Sequence, residues 1–312
     1  VCSSDLVVIV GPTASGKSAL GIRLAQELGG EVLACDSTQV YRHFDIGTAK
    51  VPPAGQQGVA HHLTDLCEPQ EVFTAGEYRQ RAIPVLADLR ARGKLPVLTV
   101  GTGLYLRALL EGLAAAPTRS EELRQRLRER AAQRGSAHLH RILMRLDAEA
   151  AARIAPQDEP KLIRAIEVCL LAGKPISAVH RAGRAPLEGW TPFKIGLHPP
   201  RAALYERIHQ RVHAMLAAGW LEEVQRHIAA GIPASAKPFQ FIGYRDLRAH
   251  LEEKCSLAGA VSAIQQATRR YAKRQLTWFR REPAVHWLPH FGDDPAAQAA
   301  ALQYLREQFR CE

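Results

Sequence analysis

Residues 11–18 read Gly-Pro-Thr-Ala-Ser-Gly-Lys-Ser, and no other stretch restricts the fold as much. The apolar run Leu6–Val10 leads into it, and a helix is predicted over Ser18–Leu28. The order is strand, glycine-rich loop, helix. Gly-x-x-x-x-Gly-Lys-Ser in that frame is the phosphate-binding P-loop. Gly11 and Gly16 let the backbone curl until successive N–H groups, Thr13, Ala14 and Ser15 among them, face one anion. The helix start adds unpaired N–H donors and the positive end of its dipole. Lys17 brings a mobile charge to the outer phosphate, and Ser18 a hydroxyl able to ligate Mg²⁺. An ordinary glycine-rich turn before a helix is the alternative, and the full motif in this frame argues against it. The chain therefore binds a di- or triphosphate. The motif leaves open which one.

Glu31–Cys35 reads as a second buried strand, ending at Asp36-Ser37-Thr38-Gln39-Val40-Tyr41. In open parallel sheets ligands gather at the carboxyl ends of strands, which puts Asp36 on the P-loop crevice. A carboxylate there is a general base, a magnesium ligand or a helix N-cap. Asp45–Lys50 follows, then a Pro/Gly/Gln loop over 52–58 and a strand over His62–Leu66, begun by His61-His62. Adjacent histidines point different ways on regular elements, so they make a poor metal pair. A helix is predicted over Phe73–Arg92 with Thr74 as its cap, and Pro84 predicts a kink or break within it. Leu95–Val100 is the next buried strand. It opens into Gly101-Thr102-Gly103-Leu104-Tyr105 at the same edge, where the glycines admit close backbone approach and Thr102 offers a hydroxyl.

From Pro117 the character changes. Eight arginines (119, 124, 126, 128, 130, 134, 141, 145) stand against three glutamates over residues 119–145, and strand patterning stops. The predicted fold is α/β: a P-loop NTPase-like parallel sheet core with an all-helical insertion domain. Residues 1–116 form the first part of the core, 117–192 the insertion, and 193–312 a mostly helical, basic return, with residues 1–5 set aside from the fold. The composition, 46% apolar and 23% charged over 312 residues, is that of a globular chain long enough for two domains. The net charge of +10 suits a polyanionic partner or merely solvated Lys/Arg faces. Six scattered cysteines (2, 35, 67, 169, 255, 311) form no Cys-x-x-Cys pair, so reduced thiols and a cytoplasmic setting are expected. No apolar run nears the ~20 residues that span a bilayer.

Phe193–Leu197 re-enters the sheet. Helices follow over Leu204–Leu216, with Arg207 and Arg211 on one face where they reach a phosphate or simply line a surface, and over Leu221–Ala230. Gln240-Phe241-Ile242-Gly243-Tyr244-Arg245 forms a compact loop. Ser256–Arg281 is a long helix carrying Arg269, Arg270, Lys273 and Arg274 among Tyr271, Trp278 and Phe279. Cations interleaved with aromatics suit single-stranded nucleic acid, although Trp278 and Phe279 fit a core role better. A strand, Val285–Leu288, and a last helix complete the chain. A Walker B strand is missing, which favours a small-molecule kinase or a transferase over a motor ATPase.

Taken in order, residues 11–18, Asp-Ser-Thr-Gln-Val-Tyr (36–41), Asp-Ile-Gly-Thr-Ala-Lys (45–50), Gly-Thr-Gly-Leu-Tyr (101–105), Ile-Gly-Tyr-Arg (242–245) and Arg-Arg-Tyr-Ala-Lys-Arg-Gln (269–275) closely resemble the bacterial tRNA dimethylallyltransferases. The resemblance runs from Leu6 to about Leu288. It implies that the P-loop, residues 11 and 13–18, holds the diphosphate of dimethylallyl diphosphate with Mg²⁺ on Ser18 and Arg211 nearby. It implies that the acceptor is the exocyclic amine of the adenosine at position 37 in the tRNA anticodon stem-loop, with Asp36 as general base and Thr102 beside it. Ser37, Thr38, Gln39, Arg124, the run Pro160-Lys161-Leu162-Ile163-Arg164, the loop Gln240–Arg245, Lys273 and Arg274 match positions that contact tRNA. Val100 stands where the family usually has the first of two glycines, which lengthens the strand or stiffens the Thr102 loop. A monomer is expected. A P-loop kinase of small metabolites would instead show ATP affinity and phosphoryl transfer. A non-catalytic RNA-binding switch would hold tRNA and form no product.

Overall fold

The computed structural model describes residues 4–181 and 183–309. The chain forms two compact units, one of residues up to Leu109 and from Glu188 onward, the other Leu110–Leu187. The second unit thus starts before residue 117 and ends before residue 192. The chain runs β1 (Asp5–Val10), α1 (Lys17–Leu28), β2 (Gly30–Cys35), β3 (His61–His62), α2 (Ala75–Ala91), β4 (Leu95–Val100) and α3 (Gly103–Leu110). The second unit contributes α4 (Glu121–Arg134), α5 (Ser136–Leu146), α6 (Ala148–Arg153), α7 (Glu159–Ala172) and α8 (Ile176–Arg181). Then come β5 (Thr191–Leu197), α9 (Arg201–Ala217), α10 (Trp220–Ala229), α11 (Tyr244–Leu251), α12 (Leu257–Phe279), β6 (Val285–Leu288) and α13 (Pro295–Gln308).

The strands form one sheet in the order β3-β2-β4-β1-β5-β6, and every pairing is parallel. Every residue of β1 is buried, as a central parallel strand covered on both faces requires. Val7, Ile9, Val97 and Ile195 pack with Leu20 and Leu24 of α1 and Ala301 and Leu305 of α13. The register levels the carboxyl ends. Ile9 stands opposite Thr99 and Cys35 opposite Val100. The P-loop, Asp36 and Gly101 therefore leave the sheet side by side.

Several expectations change. Asp5, set aside from the sequence, opens β1 opposite Thr191. Strand β3 stops at His62, because Leu63 and Asp65 take positive φ. The Asp65, Leu66 and Cys67 N–H groups instead bond to the Gln39 and Val40 carbonyls. Helix α2 starts on a Thr74–Glu77 capping box and passes unbroken through Pro84. Pro84 and Gln80, whose carbonyl loses its partner, are both exposed, so solvent meets that carbonyl. Val100 ends β4, fully buried. The strand takes the residue and the turn begins at Gly101. Tyr244 opens α11 instead of closing a loop.

In the second unit Leu127, Leu139, Leu143, Leu162, Ile166 and Val168 form a separate core. An antiparallel bridge, Ala114 to Arg184, lies near its ends. Cys35, Cys67, Cys169 and Cys255 are free thiols, while Cys2 and Cys311 lie outside the described residues. Among the described residues no helix is long and apolar enough to cross a membrane.

Candidate active site

Gly11, Ala14 and Gly16 all take positive φ, the curl that a phosphate loop needs. Lys17 Nζ donates to the Gly11 and Pro12 carbonyls at 2.9 and 2.8 Å. Burial lowers its pKa to about 7, and Arg211 pushes the same way while the Asp36 carboxylate opposes. Arg211 Nη2 donates to Thr13 Oγ1 at 2.7 Å. Its pKa falls to about 10 through burial and Arg207, again opposed by Asp36. Ser15 is fully buried and its hydroxyl has no partner among the described residues. Two cations that resist charging and a buried spare donor make a site that an added anion would stabilise. Arg207, the other arginine on that face of α9, is held away by Asp293 through two bonds of 2.7 and 2.5 Å.

Asp36 caps a turn and no helix, since residues 37–50 form turns and one bridge. Its Oδ1 accepts from the Thr38 N–H at 2.8 Å and the Thr38 hydroxyl at 2.7 Å. The other oxygen lies so close to Gly101 that a Cβ there would stand 1.8 Å from it. Only glycine lets the carboxylate lie flat on the next strand end. The Gly101 and Thr102 N–H groups both donate to the Cys35 carbonyl at 3.0 Å. Thr102 Oγ1 accepts from the Ser37 N–H at 2.9 Å and donates to Ser37 Oγ at 3.1 Å. Asp36 and Thr102 are thereby fixed as neighbours at the edge that carries the P-loop.

The family profile described as IPP transferase matches residues 39–282. The chain belongs to the IPP transferase family. It is 52% identical to a Koribacter versatilis protein named tRNA dimethylallyltransferase, over 96% of this chain and 98% of the relative. A Solibacter usitatus protein of the same name is 48% identical over 95% and 96%. The crystal structure of the full-length tRNA isopentenylpyrophosphate transferase from Bacillus halodurans superposes with TM-score 0.72 at 35% identity, covering 98% of this chain and 96% of that one. A eukaryotic dimethylallyltransferase acting on tRNA shares the fold, with TM-score 0.82 at 24% identity over 97% and 80%.

Within this family fold the two remaining specific motifs pack on each other. Trp220 of α10 lies against both Gly47 and Gly243, where a Cβ would come within 2.2 and 2.0 Å of its ring. Glu223, buried on α10, accepts the Asp45 and Ile46 N–H groups at 3.2 and 2.9 Å and the Tyr244 hydroxyl at 2.5 Å. The Gly47 N–H donates to that same hydroxyl at 3.1 Å. Tyr244 is 0% exposed, so its side chain supports the segment and does not face a partner. Gln39 donates to the Thr48 and Ala49 carbonyls, both at 3.2 Å. Phe241 meets Tyr41 edge-on at 5.6 Å, while Gln240 and the Arg245 side chain face outward.

The second unit sorts its predicted contacts in the same way. Leu162 and Ile163 are core residues. Arg124 grips the buried carboxylate of Glu167 through two bonds of 2.9 Å, and Arg164 adds a third at 2.7 Å. The Ser120 N–H completes that set at 2.8 Å. Burial pushes the Glu167 carboxyl up, but the hydrogen bonds from Arg124, Arg164 and Ser120 and the Arg124 charge outweigh it and keep the carboxyl below its usual range. Arg124 thus has a structural partner within its own unit. Pro160 sits in the first turn of α7, and Lys161 pairs with the cap, Asp158. Arg130, Arg134, Arg141 and Arg145 make no ion pair among the described residues. Desolvation lowers the pKa of His138, and the charges of these four arginines push it the same way.

On α12, Lys273 and Arg274 are exposed. Trp278, expected in the core, is 37% exposed, packs on Gly103 and lies under the Arg107 guanidinium at 4.8 Å. Phe279 is buried as expected. Gln275, Glu223 and Glu167 escaped the reading of the sequence. Gln275 closes the Arg-Arg-Tyr-Ala-Lys-Arg-Gln motif four residues after Tyr271, on one helix face. A glutamate in an amphipathic helix carries no such signal.

Proposed function

We propose that this chain transfers a dimethylallyl group from dimethylallyl diphosphate to the exocyclic N6 amine of the adenosine at tRNA position 37, releasing diphosphate. One observation carries the reading: Thr102 is bonded to Ser37, the residue next to Asp36, at the strand edge where Lys17 and Arg211 converge on the P-loop. The name borne by relatives of up to 52% identity points the same way.

Adenine's amine is a weak nucleophile because its lone pair is delocalised into the ring. Asp36 takes a proton from that amine as the new C–N bond forms, and the Thr102 hydroxyl orients the base. General-base assistance of this kind is worth roughly 10²–10⁴-fold. The allylic C–O bond breaks toward the diphosphate, whose growing negative charge falls on Lys17, Arg211 and the P-loop amides other than that of Thr13, which Gln275 holds. A target base must first leave its stack, at a few kcal/mol. The basic groups Arg130, Arg134, Arg141 and Arg145 in one unit and Lys273 and Arg274 in the other offset this through phosphate contacts. Among the described residues no cluster of three His, Cys, Asp or Glu could cage a metal. The Ser18 hydroxyl beside a diphosphate loop fits an ion carried largely by its substrate, as Mg²⁺ is. Ser18 would hold Mg²⁺, which would neutralise part of the diphosphate charge.

The test mixes purified protein, Mg²⁺ and unmodified tRNA with labelled dimethylallyl diphosphate, and in parallel with labelled ATP. Label reaching tRNA from the prenyl donor alone is the expected result. Phosphoryl transfer or hydrolysis with ATP alone would replace this reading with a kinase.

A further inference from the structure

The diphosphate cradle and the acceptor edge belong to different loops, and one side chain joins them. Gln275, on α12, is only 6% exposed. Its Oε1 accepts the Thr13 N–H at 2.7 Å, and its Nε2 donates to the Gly101 carbonyl at 2.8 Å. The partners fix the amide's orientation: an N–H requires the oxygen, and a carbonyl requires the NH₂. Tyr271, one turn earlier, donates its hydroxyl to the same Gly101 carbonyl at 3.2 Å.

Both ends of this bridge are themselves anchored to reacting groups. Thr13 is held through its hydroxyl by Arg211. Gly101 lies under the Asp36 carboxylate, and its neighbour Thr102 is bonded to Ser37. A continuous path thus runs Arg211, Thr13, Gln275, Gly101, Thr102, Ser37. Moving Gly101 by a fraction of an ångström moves the surface on which Asp36 rests.

We infer that Gln275 is a positioning residue that sets the distance and angle between the donor's reacting carbon, held through its diphosphate, and the acceptor amine, held at Asp36 and Thr102. The inference rests on the transfer reaction proposed above. An in-line displacement needs its reacting atoms in near-attack geometry, and a misplacement of about 1 Å lowers the rate about 100-fold. Neither substrate is held by Gln275 itself, so binding changes far less than turnover.

The experiment compares wild type, Gln275→Met, Gln275→Glu and Tyr271→Phe in steady-state transfer of labelled dimethylallyl groups to tRNA, with thermal melts of each. Gln275→Met is expected to lower kcat about 100-fold, with KM for both substrates within about threefold of wild type. Gln275→Glu keeps the length and the Thr13 acceptor but faces Gly101 with an oxygen, and should fall comparably. Tyr271→Phe leaves the bridge in place and should fall less than about tenfold. A Gln275→Met kcat near wild type overturns the inference. So does a loss expressed wholly in KM. If Gln275→Met melts well below wild type, Gln275→Glu decides: normal kcat in that variant overturns the inference, and a lowered kcat with unchanged KM upholds it. Wild type that moves no label to tRNA overturns the proposed reaction instead, which separates the two failures.

Discussion

The strand edge around Asp36 and the Trp220 junction are each built from two short motifs far apart in the chain, residues 36–41 with 101–105 in the first and residues 45–50 with 242–245 in the second. Their side chains do opposite work. At the strand edge the bonds link loop to loop and leave reactive groups, the Asp36 carboxylate and the Lys17 ammonium, facing one crevice. At the junction the Asp45, Ile46 and Gly47 N–H groups and the Tyr244 hydroxyl all turn inward, onto Glu223 and each other. The first region is the one we propose meets the substrate. The second builds the wall from which Phe241 and Arg245 emerge. A motif's specificity for a family therefore does not say whether its residues touch the ligand.

Substitutions can sharpen or break that contrast. The largest effect belongs to Asp36→Asn, expected to lower single-turnover transfer by roughly 10²–10⁴-fold while tRNA retention on a filter stays near normal. Near-normal turnover would remove Asp36 as the base and put both regions in the structural class. Glu223→Ala should act in the reverse manner. Losing three hydrogen bonds to a buried carboxylate should destabilise the fold by about 3–5 kcal/mol in urea titration, with the surviving folded enzyme keeping its kcat. A selective loss of kcat with unchanged stability would move Glu223 into the active region.

Lys17 supplies a pH test of intermediate size. Its folded pKa, about 7, lies below the ordinary 10.5, so between those values the unfolded chain binds a proton that the folded chain has released. Stability accordingly rises with pH across that window. Diphosphate binding restores the charge, so donor binding should take up about one proton at pH 8 and almost none below pH 6, read by calorimetry in buffers of differing ionisation heat. The smallest effect is expected at the rim. Lys273→Ala and Arg274→Ala should each weaken tRNA binding modestly and lower the salt slope by about one. Arg124→Ala should instead lower the stability of the second unit, because its guanidinium is committed to Glu167.

Local pattern carried much of this into view before any coordinates. The buried runs 6–10, 31–35 and 95–100 each precede a turn with polar residues, and parallel topology then leaves one edge for all three. Partners distant in sequence were not legible. Nothing in the sequence tells that Arg124 and Arg164 share Glu167 as a partner, or that Tyr244, in the expected loop, is enclosed by Trp220 and Glu223. Strand β3 failed for the converse reason, since backbone bonds to Gln39 and Val40 overrode its β-branched and apolar residues.

The all-helical unit leaves and rejoins the chain at nearly one point, for the Leu187 N–H donates to the Leu110 carbonyl at 2.9 Å. To the sheet, the whole excursion is a closed loop, and the entropy of closing a loop grows only with the logarithm of its length. Helices can therefore be lengthened, shortened or exchanged within that excursion at little thermodynamic penalty to the strands that carry the chemistry. The second unit can thus diverge in length and sequence while the sheet that sets Asp36 beside the P-loop stays still.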